Sequence, residues 1–324
     1  MKNKIILIAC YFGKLPNYFQ FWQESCFYNK NIDFIFFTDQ EVVKKRENFK
    51  IINITFESIA KVIKDKIGFI PSKMQPYKLC DFKPAYGKIF EEYIKDYDFF
   101  GYCDIDLVFG NIEKYINEEI LKYNDVILNL GHLTIYRNIE EYRNLFQKDG
   151  GIYDYKIVYS NAENYAFDEM SGMHRIFQKN GIEPYMDIPI ADIDKKYSRY
   201  RLYDRPNYHK QIFVYDKGIY RYYILKNKIY KEEFLYLHFQ KKKINIYVEN
   251  KGRYIIARGG FFPLNNLEND LAKYNIDYGK GKEFLELIEY VRKKVIQFIK
   301  CNISEKKIWI KQKYNFGGIR CKKR

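Results

Sequence analysis

The chain has 324 residues, 47% hydrophobic and 19% aromatic, with only 8 prolines; it can bury a real core, which excludes disordered, collagen-like and mucin-like classes. Its 56 Lys and Arg against 41 Asp and Glu give a formal charge of +15, yet twelve of the basic residues and a single acid, Glu305, fall from Arg292 onward. The last 33 residues therefore carry +11 and the 291 before them +4, so the body is nearly balanced and the basicity belongs to a tail.

After Met1-Lys2-Asn3-Lys4 comes an apolar run to Phe12, too short and without the small-residue cleavage site of a signal peptide. It reads as the first strand of a cytoplasmic protein. Pro16 can occupy the first turn of a helix running through Phe19, Phe21, Trp22 and Cys26. Residues 33–38 form a second buried strand ending in Thr38-Asp39; 57–66 and 76–95 have helical periodicity, and 97–103 returns to strand. Uninterrupted apolar strands separated by helices predict an α/β fold whose mostly parallel central sheet is covered on both faces. Further on, strands are expected at 125–129 and 133–136 around Gly131-His132, helices over 138–147 and 167–179, a hairpin over 212–225 turning at Asp216-Lys217-Gly218, and a short strand at 234–239. No repeat or low-complexity linker divides the chain, so one domain, 1–280, is followed by a helix and tail, 281–324. No stretch reaches the ~18 to 20 apolar residues that span a bilayer. The six cysteines contain no CxxC pair, which argues against a disulfide scaffold or zinc ribbon; Cys10 and Cys103 read as buried thiols.

The sharpest chemical signal is Gly101-Tyr102-Cys103-Asp104-Ile105-Asp106 at the end of the strand that begins near Tyr97. Side chains two apart in extended chain share a side, so Asp104 and Asp106 can jointly hold one hard divalent cation. Ligands of open α/β sheets bind at the carboxyl ends of strands, and a cation there can stabilise a departing diphosphate. The same pair would serve equally as two solvated acids at a strand end.

The segment Lys78-Leu79-Cys80-Asp81-Phe82-Lys83-Pro84-Ala85-Tyr86-Gly87, a helix, and then the Asp104/Asp106 strand resemble the GT-A nucleotide-sugar glycosyltransferases. The opening Ala9-Cys10-Tyr11-Phe12-Gly13 with Leu15-Pro16-Asn17-Tyr18-Phe19, and the strand ending in Thr38-Asp39, look like a bacterial polysaccharide-biosynthesis family of that fold. The resemblance spans most of residues 5 to about 245 and implies a GT-A, Rossmann-like domain that moves a sugar from a nucleotide sugar, UDP-linked in the first instance, to a hydroxyl of a glycan or lipid-linked glycan.

It also implies residue roles. Asp104 and Asp106 would bind Mn²⁺ or Mg²⁺, with His238 as a further ligand and Lys241 meeting the phosphates. Tyr11, Phe12 and Gly13 would lie beside the base, with Thr38 and Asp39 at the uridine or ribose, and Lys78, Asp81 and Lys83 would line the donor side. His132 would hold an acceptor hydroxyl. Asp168 or Glu169 would face the anomeric carbon or take the acceptor proton. Each has a plainer alternative: His238 as a core histidine, His132 as a turn residue, Lys78, Asp81 and Lys83 as helix-surface residues, Asp168 and Glu169 as acids meeting a helix dipole.

In the tail, Phe284, Ile288, Val291, Val295 and Phe298 form one apolar stripe beside Arg292, Lys293, Lys294 and Lys300. That pattern fits an amphipathic helix at the inner face of an anionic membrane, or one packed on the catalytic domain. Two other functions stay open: a basic nucleic-acid-binding protein, for which no RRM, HTH or KH pattern is present, and a noncatalytic sugar-binding relative. A phosphatase using the Asp pair is a third, though such enzymes place it on an early strand.

Overall fold

The computed structural model describes residues 2–274, apart from 195, 198, 199, 204, 209, 241–243, 250 and 251, together with 284, 285, 288, 289, 291, 292 and 295. The strands are β1 (Ile5–Cys10), β2 (Ile32–Thr38), β3 (Phe49–Asn53), β4 (Phe99–Cys103), β5 (Leu107–Phe109), β6 (Val126–Leu130), β7 (Leu133–Arg137), β8 (Ala191–Asp192), β9 (Gln211–Asp216), β10 (Ile219–Leu225), β11 (Lys228–Phe234), β12 (Tyr236–His238), β13 (Asn245–Ile246), β14 (Arg253–Ala257) and β15 (Gly260–Phe262).

The fold is mixed α/β. Its first sheet has the order β3-β2-β1-β4-β7-β6, parallel from β3 to β4 and antiparallel beyond. Alternate residues of β1 enter different cores, as a strand buried on both faces requires. Ile5, Leu7 and Ala9 pack with Phe19 and Trp22 of the helix Phe19–Tyr28. Ile6 and Ile8 pack with Ile59 and Ile63 of the helix Phe56–Ile67 on the other face. That second helix starts on Thr55, whose side chain accepts the Ser58 N–H, and stops at Gly68, which takes φ +96° as a left-handed cap.

The segment predicted as one helix over 76–95 is instead a chain of short turns, Pro76–Lys78, Leu79–Phe82, Lys83–Ala85, Tyr86–Ile89 and Glu91–Ile94. Pro84 lacks the N–H that a continuous ladder needs. The helix expected over 167–179 starts only at Met173. Asp168 and Glu169 therefore lie ahead of it rather than in its first turn, so the helix dipole does not account for them. The helix expected over 138–147 is likewise two short turns, Glu140–Arg143 and Leu145–Gln147.

A second sheet, β11-β10-β9-β14-β15-β13, was foreseen only in its β9-β10 hairpin, which turns at Lys217 and Gly218. It packs against the first helix through Phe21, whose ring meets Tyr254 and Phe261 edge-on at 4.9 and 4.7 Å. A small third sheet, β5-β12-β8, joins the halves. Among the described residues no helix is long and apolar enough to cross a membrane.

Candidate metal centre and cleft

The chain leaves the first sheet at Cys103, the end of β4, and enters the third at Leu107, the start of β5. Asp104, Ile105 and Asp106 are the crossing. Backbone pairing then supplies the neighbours: β12 lies antiparallel to β5 with His238 opposite Leu107, and parallel to β8 with His238 opposite Asp192. Two strands far apart in sequence thus bring a histidine to the Asp pair by register alone.

One ligand atom each from Asp104, Asp106 and His238 lie within 4.8 Å of one another. His238 Nε2 is 3.5 Å from Asp106 Oδ1, and Nδ1 is 2.9 Å from Asp192 Oδ1, which also accepts the Gln240 side-chain amide at 2.6 Å. Burial works against charge on His238, but Asp106 and Asp192 prevail and push its imidazole up to about 9. A divalent cation held by the same carboxylates would take the place of that proton. Two carboxylates and an imidazole backed by a further carboxylate fit a cation of the Mn²⁺ or Mg²⁺ type.

Lys83 joins this group from the broken helix. Its buried ammonium reaches Asp104 Oδ1 at 2.6 Å, Asp168 Oδ2 at 3.1 Å and the Gly131 carbonyl at 2.6 Å. Burial disfavours the charge, yet Asp104 and Asp168 hold Lys83 firmly protonated. Asp168 is buried, which pushes its carboxyl up to about 7; Lys83 opposes the rise, while Asp104 and Glu169 add to it. Glu169 is exposed beside it. A β-carbon at Gly131 would collide with the Glu169 side chain and stand 3.1 Å from Asp168 Oδ2.

A cavity of about 430 Å³ opens beside the Asp pair, lined by Tyr11 and Phe12 from the end of β1, by Tyr18 and Tyr77, and by Lys83, Asp104 and Asp106. At the next strand end Asp39 accepts the Gly13 N–H at 2.9 Å, Gly13 taking φ +90°. Burial would raise the Asp39 carboxyl, but hydrogen bonds from Gln40 and Gly13 hold it below its ordinary value. Thr38 is buried, and its hydroxyl oxygen accepts the Gln40 N–H.

Other expected residues lie off the cavity. Lys78 and Asp81 form a buried pair at 2.7 Å; Asp81 accepts the N–H groups of Tyr165 and Phe167, and Lys78 donates to the Glu163 carbonyl. They fasten the 163–168 loop to the helix segment and so hold Asp168 in place. His132 is buried against His238, ring centroids 4.1 Å apart, with Nε2 2.7 Å from the Tyr236 hydroxyl. Burial, and then the charge on His238, keep it neutral. Lys241 lies outside the described residues. Sequence reading assigned nothing to Asp192, Gln240, Tyr236 or Tyr18; the one available signal was the acid in the apolar run Ile190-Ala191-Asp192-Ile193.

The chain belongs to the family of unknown function DUF6625, whose family model matches residues 7–265. No curated protein matches it.

Proposed function

We propose that this chain is a metal-dependent glycosyltransferase of the GT-A type, transferring a sugar from a nucleotide sugar, UDP-linked in the first instance, to a hydroxyl of a glycan or lipid-linked glycan. The observation that carries the reading is the Asp104, Asp106 and His238 group at the lip of an aromatic-lined cavity, where parallel strands β1 and β4 end. Bound there, Mn²⁺ or Mg²⁺ would supply positive charge to the donor diphosphate.

The chain's own residues divide the remaining work. Tyr11 and Phe12 offer apolar faces to the base, and the Gly13–Asp39 link presents a carboxylate at the ribose side. Lys83 supplies a fixed positive charge beside the phosphates. Asp168, half ionised near neutrality, can face developing positive charge at the anomeric carbon or take the acceptor proton, with exposed Glu169 beside it. His132, stacked on His238, acts on the metal side rather than reaching an acceptor.

The tail supports a peripheral location. Phe284, Leu285, Ile288, Val291 and Val295 are exposed rather than packed on the domain, and the strongly basic sequence follows. An exposed apolar stripe next to clustered lysines and arginines suits an anionic lipid surface, where a lipid-linked acceptor would reside.

The test is a thermal-shift screen of nucleotide sugars with Mn²⁺, followed by donor hydrolysis or transfer assays. Asp104→Asn and Asp106→Asn should each remove metal-dependent turnover. Unchanged turnover in both variants would sink the metal-site reading, and tight, salt-sensitive RNA binding surviving deletion of 292–324 would favour a nucleic-acid role instead.

A further inference from the structure

We propose that the tip of the β10-β11 hairpin is a second membrane contact, entering the headgroup region of an anionic bilayer end-on and working jointly with the basic tail. The inference rests on the reading of that tail as the first contact.

The hairpin turns at Lys226 and Asn227, a two-residue loop. Every residue from Leu225 to Lys231 is exposed, with Leu225 at 42%, Ile229 at 39% and Tyr230 at 40%. Between Asp216 and Glu232 the chain has no acid. Glu232 and its neighbour Glu233 are themselves paired, with Arg221 and Lys114, so Lys226 and Lys228 have no carboxylate partner among the described residues. Lys231 lies over the Tyr220 ring, 3.7 Å from its centroid.

Strand register decides what such a tip can meet. Tyr223 pairs with Tyr230, Ile224 with Ile229, and Leu225 with Lys228. Directly opposed residues share a face and successive pairs alternate between faces, so Leu225 and Tyr230 lie on one face and Ile229 on the other. A flat partner laid on either face, a glycan or a nucleic-acid strand, would leave the apolar group of the other in water. A bilayer entered end-on covers both. Tyr230 suits the headgroup level, where lysines keep their ammonium groups at the lipid phosphates and their stems along apolar surface.

The turn adds a second observation. Lys226 and Asn227 take φ +49° and +58°, and a two-residue turn with both central residues at positive φ favours Asn or Gly. Asn227 conforms and Lys226 does not. Because Lys226 is exposed, packing does not account for a lysine held against its backbone preference at the foremost point of the hairpin, whereas a lipid phosphate does. Three apolar side chains and two unpaired lysines make a weak contact alone, but a second signal on the same chain multiplies the first. Two points of contact also fix a rotation that one leaves free.

The experiment measures binding of the full-length protein to vesicles of phosphatidylglycerol and phosphatidylcholine, with hydrogen exchange followed by mass spectrometry on and off the vesicles. Amides of 222–231 should slow on vesicles while those of β1 keep their rate. Leu225→Ser/Ile229→Ser should bind about tenfold more weakly, and Lys226→Gly about fivefold. Glycine relaxes the turn, so Lys226→Gly should melt no lower than the unaltered chain, which separates its weaker binding from misfolding. Unchanged affinity in Leu225→Ser/Ile229→Ser, or unchanged exchange of 222–231 in vesicle-bound protein, would overturn the hairpin's role and leave the tail reading intact. Absence of vesicle binding by the unaltered protein would overturn both.

Discussion

Lys83 and Asp104 form an ion pair of 2.6 Å that ties the broken helix to the strand crossing. The same ammonium holds Asp168 and the Gly131 carbonyl, so one cation ties together segments that lie far apart in sequence. Replacing Lys83 by Met would leave Asp168 buried beside Asp104 without its counter-charge. Removing one partner of such a buried pair typically costs ~3 to 5 kcal/mol. A denaturant titration of Lys83→Met at pH 8 should show a loss of that order; a midpoint equal to wild type would mean that the segments are held without Lys83.

Asp168 predicts a pH dependence of the opposite sign to most carboxylates. Its carboxyl is raised from 3.8 to about 7, chiefly by burial. Between those values the folded protein keeps a proton that the unfolded chain has released, so stability falls as pH rises from about 4 to about 7. The shift amounts to roughly 4 kcal/mol. Asp168→Asn should therefore melt higher than wild type at pH 8 and close to it below pH 4. Turnover, if it needs the carboxylate, should rise through pH 7 in the wild type and be largely lost in the variant.

Gly131 separates structure from chemistry. A methyl group there meets the exposed, flexible Glu169 side chain first and Asp168 at 3.1 Å second. Glu169 can swing aside, so Gly131→Ala should cost only about 1 kcal/mol of stability, the low end of overpacking at a buried position. Displacement of the two acids should nonetheless lower turnover by tenfold or more, since such sites tolerate little misplacement. A variant with wild-type kcat would place both acids outside the reaction.

Much of the first half was legible because its signals are local. The β1 run, the helix that follows it, the helical periodicity over 57–66 and the Asp104/Asp106 strand end each declare themselves within a few residues. In the second sheet only the β9-β10 hairpin was legible; the pairing that joins its two halves, β14 on β9, spans about forty residues and leaves no local signal. The same reason hid Asp192, whose meaning exists only once β8 lies against β12. Lys78 and Asp81 were legible as a charged helix segment, but sequence spacing could not tell a cleft-lining pair from one buried under a loop.

That buried pair gives a further test. Asp81 accepts two backbone N–H groups, from Tyr165 and Phe167, at 2.9 Å each, in addition to the Lys78 ammonium. Asp81→Ala would strand the two backbone donors and leave the Lys78 ammonium buried without its counter-charge, costing about 3 to 5 kcal/mol. The distinctive readout is local. Hydrogen exchange of 163–171 should accelerate strongly in Asp81→Ala while β1 and β4 stay protected. Uniform acceleration would instead make the loop part of one cooperative unit with the sheet.

The tail separates two uses of the same charge. If the exposed stripe of Phe284, Leu285, Ile288, Val291 and Val295 meets lipid, full-length protein should float with anionic vesicles and a chain ending at Gly281 should not. Each lysine or arginine near the surface contributes about 1 kcal/mol, so flotation should fall steeply as salt shortens the screening length. Zwitterionic vesicles should recover little. Equal flotation of both chains would remove the tail from any membrane role, and the +11 of the last 33 residues would then have to act on another anionic partner.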